Sequence, residues 1–322
     1  MPGLRQLATR LRGFLAPAAP PEGSWATAIA IPSSGTEYRN LPPAAQLVHE
    51  APWFEFDPGM MERDLDAYLA EDLYPIPAAA DREGYHGDRH YDYWISGLKD
   101  YLLVKRSLRS YGAAESLAAG SVFELGCASG RVLRHFLTHE PGIDLWGADL
   151  NQRLVEWIRQ FLPSSVRVFQ NSMLPTLPLE DNSLSLVYAF SVFTHVDAFE
   201  LAWLAELRRI LKPGGMAYLT VHTEHTWNTM SPNRALYHDI LVMKDHISEC
   251  RVCPELFQSP MPKERMVLSW HTAAVNNAIV FHSTDYLRNA WGRFFEIVDI
   301  QQEGHEYQDV VLLRKAQGPA AN

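Results

Sequence analysis

The stretch Ser121–Arg131, SVFELGCASGR, constrains the fold of this chain more than any other. Val122 and Phe123 read as the end of a buried strand, Glu124 precedes a glycine-rich turn over Gly126–Gly130, and a helical pattern follows to Leu137. Glycine at a strand-to-helix turn lets the backbone approach a ligand with no Cβ in the way. The helix N-terminus adds unpaired N–H donors and a partial positive charge. The combination suits a small-molecule site, with a nucleotide-like cofactor as the natural guest. Tight glycine turns also serve plain α/β packing, so the neighbours matter. A second apolar run, LWGADLN, ends in Asp149. It lies about 20 residues beyond the turn, where a doubly wound fold places its ribose-binding carboxylate. A carboxylate can accept hydrogen bonds from both vicinal ribose hydroxyls.

The pattern from 119 to 222 alternates strand and helix, the signature of a parallel α/β sheet. Strands are expected at Ser121–Leu125, Asp144–Ala148, Val166–Gln170, Leu184–Phe190 and Gly215–His222, and helices at Gly130–Leu137, Arg153–Phe161 and Ala198–Leu211. Lys212-Pro213-Gly214-Gly215 reads as a helix stop and turn. Further strands at Phe295–Ile300 and Gln308–Arg314 read as an antiparallel hairpin at the sheet edge, after a helix at Ser283–Trp291. Upstream, residues 1–85 form an extension rich in proline and aromatic side chains, with a helix expected at Met60–Leu73 and another from Arg89 to Tyr111. Residues 223–278 break the alternation and read as a substrate-side insertion in a domain spanning 86–315, with a disordered tail at 316–322.

Composition narrows the function classes. A net charge of −10 argues against a general grip on nucleic acid, which needs a basic face. The three cysteines give no disulfide framework and fit a reduced compartment, so a cytoplasmic location is expected. No run of about 18 or more apolar residues suggests a transmembrane helix. Leu4, Leu7, Leu11, Phe14 and Leu15 fall near one helical face with arginines among them, readable as a membrane-surface or partner helix or as a loosely packed terminus. Cys250 and Cys253 form one C-x-x-C pair, half of what a structural zinc site commonly takes, so no metal is expected.

Taken in order, FELGCASG at Phe123–Gly130, GADL at Gly147–Leu150, NSMLPTLP at Asn171–Pro178, DNSLSLVY at Asp181–Tyr188, SVFTHV at Ser191–Val196 and LKPGG at Leu211–Gly215 resemble the motifs of class I S-adenosylmethionine-dependent methyltransferases. The resemblance spans roughly 110–222 and continues more weakly to Lys315. It implies an α/β, Rossmann-like fold: a mostly parallel sheet with an antiparallel edge hairpin. It also implies S-adenosylmethionine as cofactor. By the same resemblance, Glu124 lies near the methionine amino group, and the backbone of Gly126, Cys127 and Ala128 faces the methionine. Asp149 takes the ribose hydroxyls, Leu150 flanks the adenine, and Asn171, with Ser172 beside it, stands where many members carry an acid for the adenine amino group. Ser191 offers backbone to the methionine end. A dinucleotide-binding oxidoreductase is the rival, but it wants G-x-G-x-x-G, and this turn reads G-x-x-x-G.

Methyl transfer from a sulfonium needs an oriented acceptor and little water. A hydroxyl acceptor also needs its proton removed, a task suited to histidine near neutral pH. His195, after the fourth strand, and His222, ending the fifth, are candidate bases at the carboxyl edge, where ligands gather. Either could equally be a helix cap or a core histidine. Tyr93, Trp94 and His225 are candidate acceptor contacts, though Tyr93 and Trp94 could instead be the core face of their helix. The expectation is O-methylation of a small molecule, a saccharide or another secondary metabolite. Amine or carboxylate methylation, or a non-catalytic cofactor-binding partner protein, stay as alternatives. Monomer and homodimer are both open.

Overall fold

The computed structural model describes residues 38–48, 57–113, 120–247, 249–270 and 278–317. The expected N-terminal helix over 4–15, most of the upstream extension and the tail beyond 317 lie outside the described residues.

The strand-helix alternation folds as its periodicity dictates. Strands β1 (Asn40–Leu41) and β2 (Ile76–Pro77) pair antiparallel in the upstream segment, whereas β3 (Ser121–Leu125), β4 (Asp144–Asp149), β5 (Val166–Gln170), β6 (Leu184–Ala189) and β7 (Leu211–Thr223) are parallel. The hairpin β10 (Glu296–His305) and β11 (Gln308–Arg314) completes the sheet, in the order β10-β11-β7-β6-β3-β4-β5. β11 is antiparallel both to β10 and to β7, so the expected edge hairpin is present. The expected turn at 212–215 lies within β7, where the pairing skips from Leu184–Leu211 to Leu186–Met216 and Gly214 takes φ +79°.

Because side chains alternate across a strand and both faces are covered, the strands send apolar side chains to both sides. Val122, Leu186, Tyr188, Met216, Tyr218 and Leu312 pack on one face. Against them lie α2 (His90–Ser110), α3 (Leu133–His139) and α4 (Gln152–Phe161). The alternate residues Phe123, Val187, Ala217, Leu219 and Val311 meet α5 (Glu200–Ile210) and α8 (Thr284–Ala290) on the other face. Two helices start later than their sequence pattern suggests. Gly130 has φ +80° and closes a turn on the Cys127 carbonyl, so α3 begins at Leu133; Phe199 has φ +61°, so α5 begins at Glu200.

The described part of the N-terminal segment is bonded to this core. Helix α1 (Leu65–Glu71) is shorter than the expected 60–73, because Asp72 turns extended and inward. Its carboxylate accepts from Arg134 Nε (2.7 Å) and Nη2 (2.9 Å) and from Trp94 Nε1 (2.7 Å). Arg134 also donates to the carbonyls of Tyr74 and Pro75. Helix α2 crosses the start of α3 so closely that a Cβ on Gly97 would lie 2.2 Å from the Arg131 carbonyl oxygen. Alanine is the better helix former by about 1 kcal/mol, yet here the clash is with backbone. Gly97→Ala is therefore expected to lower stability by about 1–3 kcal/mol in urea denaturation, the cost of overpacking; a gain in stability would refute the close approach.

The insertion holds more structure than the sequence suggests. It builds α6 (Glu224–Asn228), α7 (Ala235–Met243) and strand β8 (Arg265–Ser269), which pairs with β9 (Ala278–His282). β9 then pairs in parallel with the end of β7, at His222–Phe281 and Thr223–His282. Trp227, Leu236, Ile240, Leu268 and Phe281 form a separate apolar cluster. Where β9 ends, Glu200 accepts from Arg265 Nε (2.6 Å), His282 Nε2 (3.1 Å) and Trp291 Nε1 (2.7 Å), which ties the insertion to α5.

Candidate cofactor and acceptor site

The glycine turn is held from below by the strand beside it. The N–H groups of Gly126 and Cys127 both donate to the Ala148 carbonyl, at 2.8 and 3.0 Å. Gly126 and Ala128 both take left-handed backbone, φ +79° and +46°. Glycine adopts this region freely, whereas alanine does so at a cost. A Cβ on Gly126 would lie 2.6 Å from Val192 Cγ2, so the turn and the segment after β6 are in close contact. The Cys127 side chain is buried against Gly147.

Asp149, at the end of β4, is bound into the same turn. Its Oδ2 accepts from the Ala128 N–H and its Oδ1 from the Asn151 N–H, both at 2.8 Å. Burial pushes its pKa up to about 6 against those bonds. Each carboxylate oxygen keeps a further acceptor site for a ligand hydroxyl. Leu150 is half-buried, its carbonyl taken by Gln170 Nε2. At the end of β5 the Asn171 N–H donates to the Asp149 carbonyl, and its Nδ2 donates to the Ser172 carbonyl. Asn171 Oδ1 is left buried without a partner. Ser172 is exposed and its Oγ accepts from the Leu174 N–H; Met173 and Leu174 follow as exposed apolar side chains.

Glu124, Tyr188 and Tyr218 lie in register across β3, β6 and β7. The Tyr188 hydroxyl donates to Glu124 Oε2 at 3.0 Å, while burial raises the Glu124 carboxyl to about 8. An acid buried among apolar neighbours stays protonated unless a cation comes to it. Ser191, just past β6, has φ +56°. Its N–H donates to Thr220 Oγ1 (2.7 Å), and its hydroxyl accepts from Gln308 Nε2 (2.8 Å).

The expected bases differ in setting. His195 is half-buried, and its Nδ1 lies 2.8 Å from the Ala278 carbonyl of β9. A carbonyl only accepts, so Nδ1 carries the proton and the lone pair of the neutral ring is on Nε2. His222 is fully enclosed, stacked on Tyr307 with Nδ1 unpartnered, and burial drives its pKa well below the usual range. His225 lies in the first turn of α6, where its backbone N–H donates to the capping Thr223 Oγ1, and its ring stands 3.6 Å from Glu303. Tyr93 and Trp94 correct the expectation of a pocket wall. Tyr93 is 1% exposed with its hydroxyl on Ser129, and Trp94 is 0% exposed with Nε1 on Asp72. Both are core side chains that hold α2 against the turn.

Several groups at this edge were not anticipated. Asp100 of α2 accepts from Arg131 Nη2 at 2.5 Å and lies 3.0 Å from His305 Nε2. Its place seven residues after Tyr93, on the apolar side of the helix, was the available signal. Segment 79–89 runs over the same edge. Glu83 accepts from Asn151 Nδ2 (2.7 Å), Asp81 from Arg153 Nε (2.9 Å), and Arg131 lies 5.2 Å over the Tyr85 ring. The Cys250–Cys253 pair lies beside a cavity also lined by Lys244, Asp245 and Arg251. Among the described residues no group of three or more His, Cys, Asp or Glu could hold a metal ion, and no helix is long and apolar enough to cross a membrane.

The donor set fits an adenosine-containing cofactor: a carboxylate for two hydroxyls, a buried orphan acceptor for an amino group, and a close-approach turn. Residues 123–219 match the family described as "Methyltransferase domain". No curated protein matches the chain. Among solved structures, a SAM-dependent methyltransferase from Methanosarcina mazei is 16% identical, with 62% of this chain and 93% of that one covered and a TM-score of 0.43. An S-adenosylmethionine-dependent methyltransferase from Mesorhizobium loti is 16% identical, over 66% and 98%, with a TM-score of 0.44. The Burkholderia thailandensis 1,6-didemethyltoxoflavin-N1-methyltransferase, solved with 1,6-didemethyltoxoflavin and S-adenosylhomocysteine, is 14% identical over 70% and 90%, with a TM-score of 0.41. The motifs thus lie in order on this sheet, and the strands that carry them, within residues 123–219, match the methyltransferase-domain family.

Proposed function

We propose that this enzyme methylates a hydroxyl group of a small molecule, a saccharide or another secondary metabolite, in the cytoplasm. The reading rests on the imidazoles gathered at the carboxyl edge, among them His195, whose ring is held on the Ala278 carbonyl. An amine can lose its proton after transfer and a carboxylate has none to lose, so neither calls for such groups.

Bound S-adenosylmethionine supplies a methyl group already activated by a positively charged sulfur. The chain's task is to hold, orient and keep dry. Asp149 takes the ribose hydroxyls, Asn171 Oδ1 accepts from the adenine amino group, and Leu150 and Ser172 border the ring. Glu124 answers the methionine amino group. A nearby cation favours the ionised carboxylate, so that acid gives up its proton on binding. The backbone at Gly126, Cys127, Ala128 and Ser191 lines the methionine end. Segment 79–89 and helix α2 exclude water, and the insertion, with His222 and His225 at its root, shapes the acceptor side.

The test is label transfer from tritiated S-adenosylmethionine to D-glucose, catechol, benzylamine and benzoate. Label in glucose or catechol is the expected result. Label confined to benzylamine or benzoate overturns the hydroxyl assignment in favour of amine or carboxylate methylation.

A further inference from the structure

The hairpin turn between β10 and β11 brings a further histidine to the reacting edge, and its bonding differs from that of His195 and His222. His305 is 7% exposed. Its Nε2 lies 3.0 Å from Asp100 Oδ1, and its Nδ1 is buried with no hydrogen-bond partner. A carboxylate only accepts, so Nε2 carries the proton. In the neutral ring the lone pair is then on Nδ1. Protonating Nδ1 would leave an unmatched buried donor, which is costly unless a partner arrives. Asp100 is fixed in turn: its other oxygen accepts from Arg131, one residue after the glycine turn. Burial favours the neutral acid, but the neighbouring His305 and Arg131 overcome it and hold Asp100 well below the usual carboxylate range.

Position ties the pair to the transfer site. Half-buried Phe190, the residue before Ser191, has its ring centroid 4.8 Å from that of His305. Gln308, at the other end of the turn, is bonded to the Ser191 hydroxyl. The turn is thus clipped to the segment that follows β6, beside the residues assigned to the methionine end. Tyr218 touches the same Phe190 ring, and its hydroxyl also lacks a partner.

We propose that His305 Nδ1 is the proton acceptor for the methylated hydroxyl, with Asp100 as the positioning residue that fixes its tautomer. The proposal rests on the hydroxyl reading above. As the hydroxyl oxygen bonds to the methyl carbon, its proton passes to Nδ1; the carbon–sulfur electron pair stays on sulfur, leaving the neutral thioether S-adenosylhomocysteine. Nothing is oxidised or reduced. The imidazolium so formed keeps its Nε2–H on the Asp100 carboxylate, which compensates the new charge. Phe190 is the side chain an acceptor would displace to reach Nδ1.

The test needs no acceptor. Histidine ring nitrogens and protons of the 15N-labelled full chain are titrated by NMR, saturated with either S-adenosylmethionine or S-adenosylhomocysteine. His305 is assigned by the signal lost in His305→Asn, or in His305→Phe should the first variant not fold. A sulfonium cation within reach of Nδ1 disfavours a second charge there, so the His305 pKa is expected to be lower by about one unit or more with S-adenosylmethionine. Equal values in the two complexes overturn the proposal. Asp100→Asn is expected to raise the population of the Nδ1–H tautomer; an unchanged tautomer removes Asp100 from its role. A pair that merely pins the hairpin to α2 would give no difference between the two complexes. The acceptor panel and this titration share no readout, so a wrong acceptor class and a wrong base are told apart.

Discussion

Asp72→Ala is expected to lower the stability of the fold by about 3–5 kcal/mol, the cost of breaking a buried ion pair from one side. Asp72 and Arg134 are both enclosed, at 0% and 1% exposure. Without the carboxylate, Arg134 keeps only the Tyr74 and Pro75 carbonyls for a full positive charge. Urea denaturation of the two proteins measures the loss; a difference under about 1 kcal/mol would place the pair with ordinary surface ion pairs. The pH dependence has a definite sign. Burial opposes ionisation of Asp72, but the charge and bonds of Arg134 prevail and bring its pKa down to about 2. A depressed carboxylate contributes stability that is present above its unfolded pKa of 3.8 and is lost as the pH falls toward 2. The wild type is therefore expected to lose this part of its stability between about pH 4 and 2, and Asp72→Ala to lack that component.

Asp149→Ala is expected to weaken binding of S-adenosylhomocysteine by about 1–3 kcal/mol, roughly 5- to 150-fold, with the fold intact. Isothermal titration calorimetry reads it directly. Asp149→Asn, which keeps one acceptor oxygen, is expected to fall between alanine and wild type. In the wild type, affinity should also decline as the pH drops through about 6, where burial has moved the Asp149 pKa. Unchanged affinity in Asp149→Ala would remove this carboxylate from the ribose site.

The core of the fold was legible because it is written in local pattern. The strand segments around Val122, Leu145, Val166 and Leu186 are predominantly apolar, and the turns between them carry glycine or proline. Asp149 was legible for the same reason: an acid closing an apolar run has few other places to go. The remainder depended on distance in sequence. Asp100 and His305 are brought together by packing of α2 on the β10–β11 hairpin, and no spacing rule links positions so far apart in sequence. The local sequence fits Tyr93 and Trp94 equally to a pocket or to the core, and Asp72 and Ser129, which that neighbourhood does not contain, decide for the core. β8 and β9 were missed because strand pairing within the insertion is established only by the long return to the end of β7. His195 was located, but its tautomer comes from a carbonyl 83 positions away.

The placement of β11 has a consequence for how the chain is made. This strand enters between β7 and β10, pairing Arg314 with Met216 at one end and Asp309 with Val221 at the other. Until it arrives, the apolar run Met216–Val221 has one row of backbone donors and acceptors unmatched, in the middle of what will be the sheet. An exposed, apolar strand edge is a template for another chain. A ribosome delivers β7 well before β11, and refolding must close the same long loop. The hazardous species is thus a nearly complete molecule waiting for its last strand, and at high protein concentration that wait favours association of one unfinished copy with another.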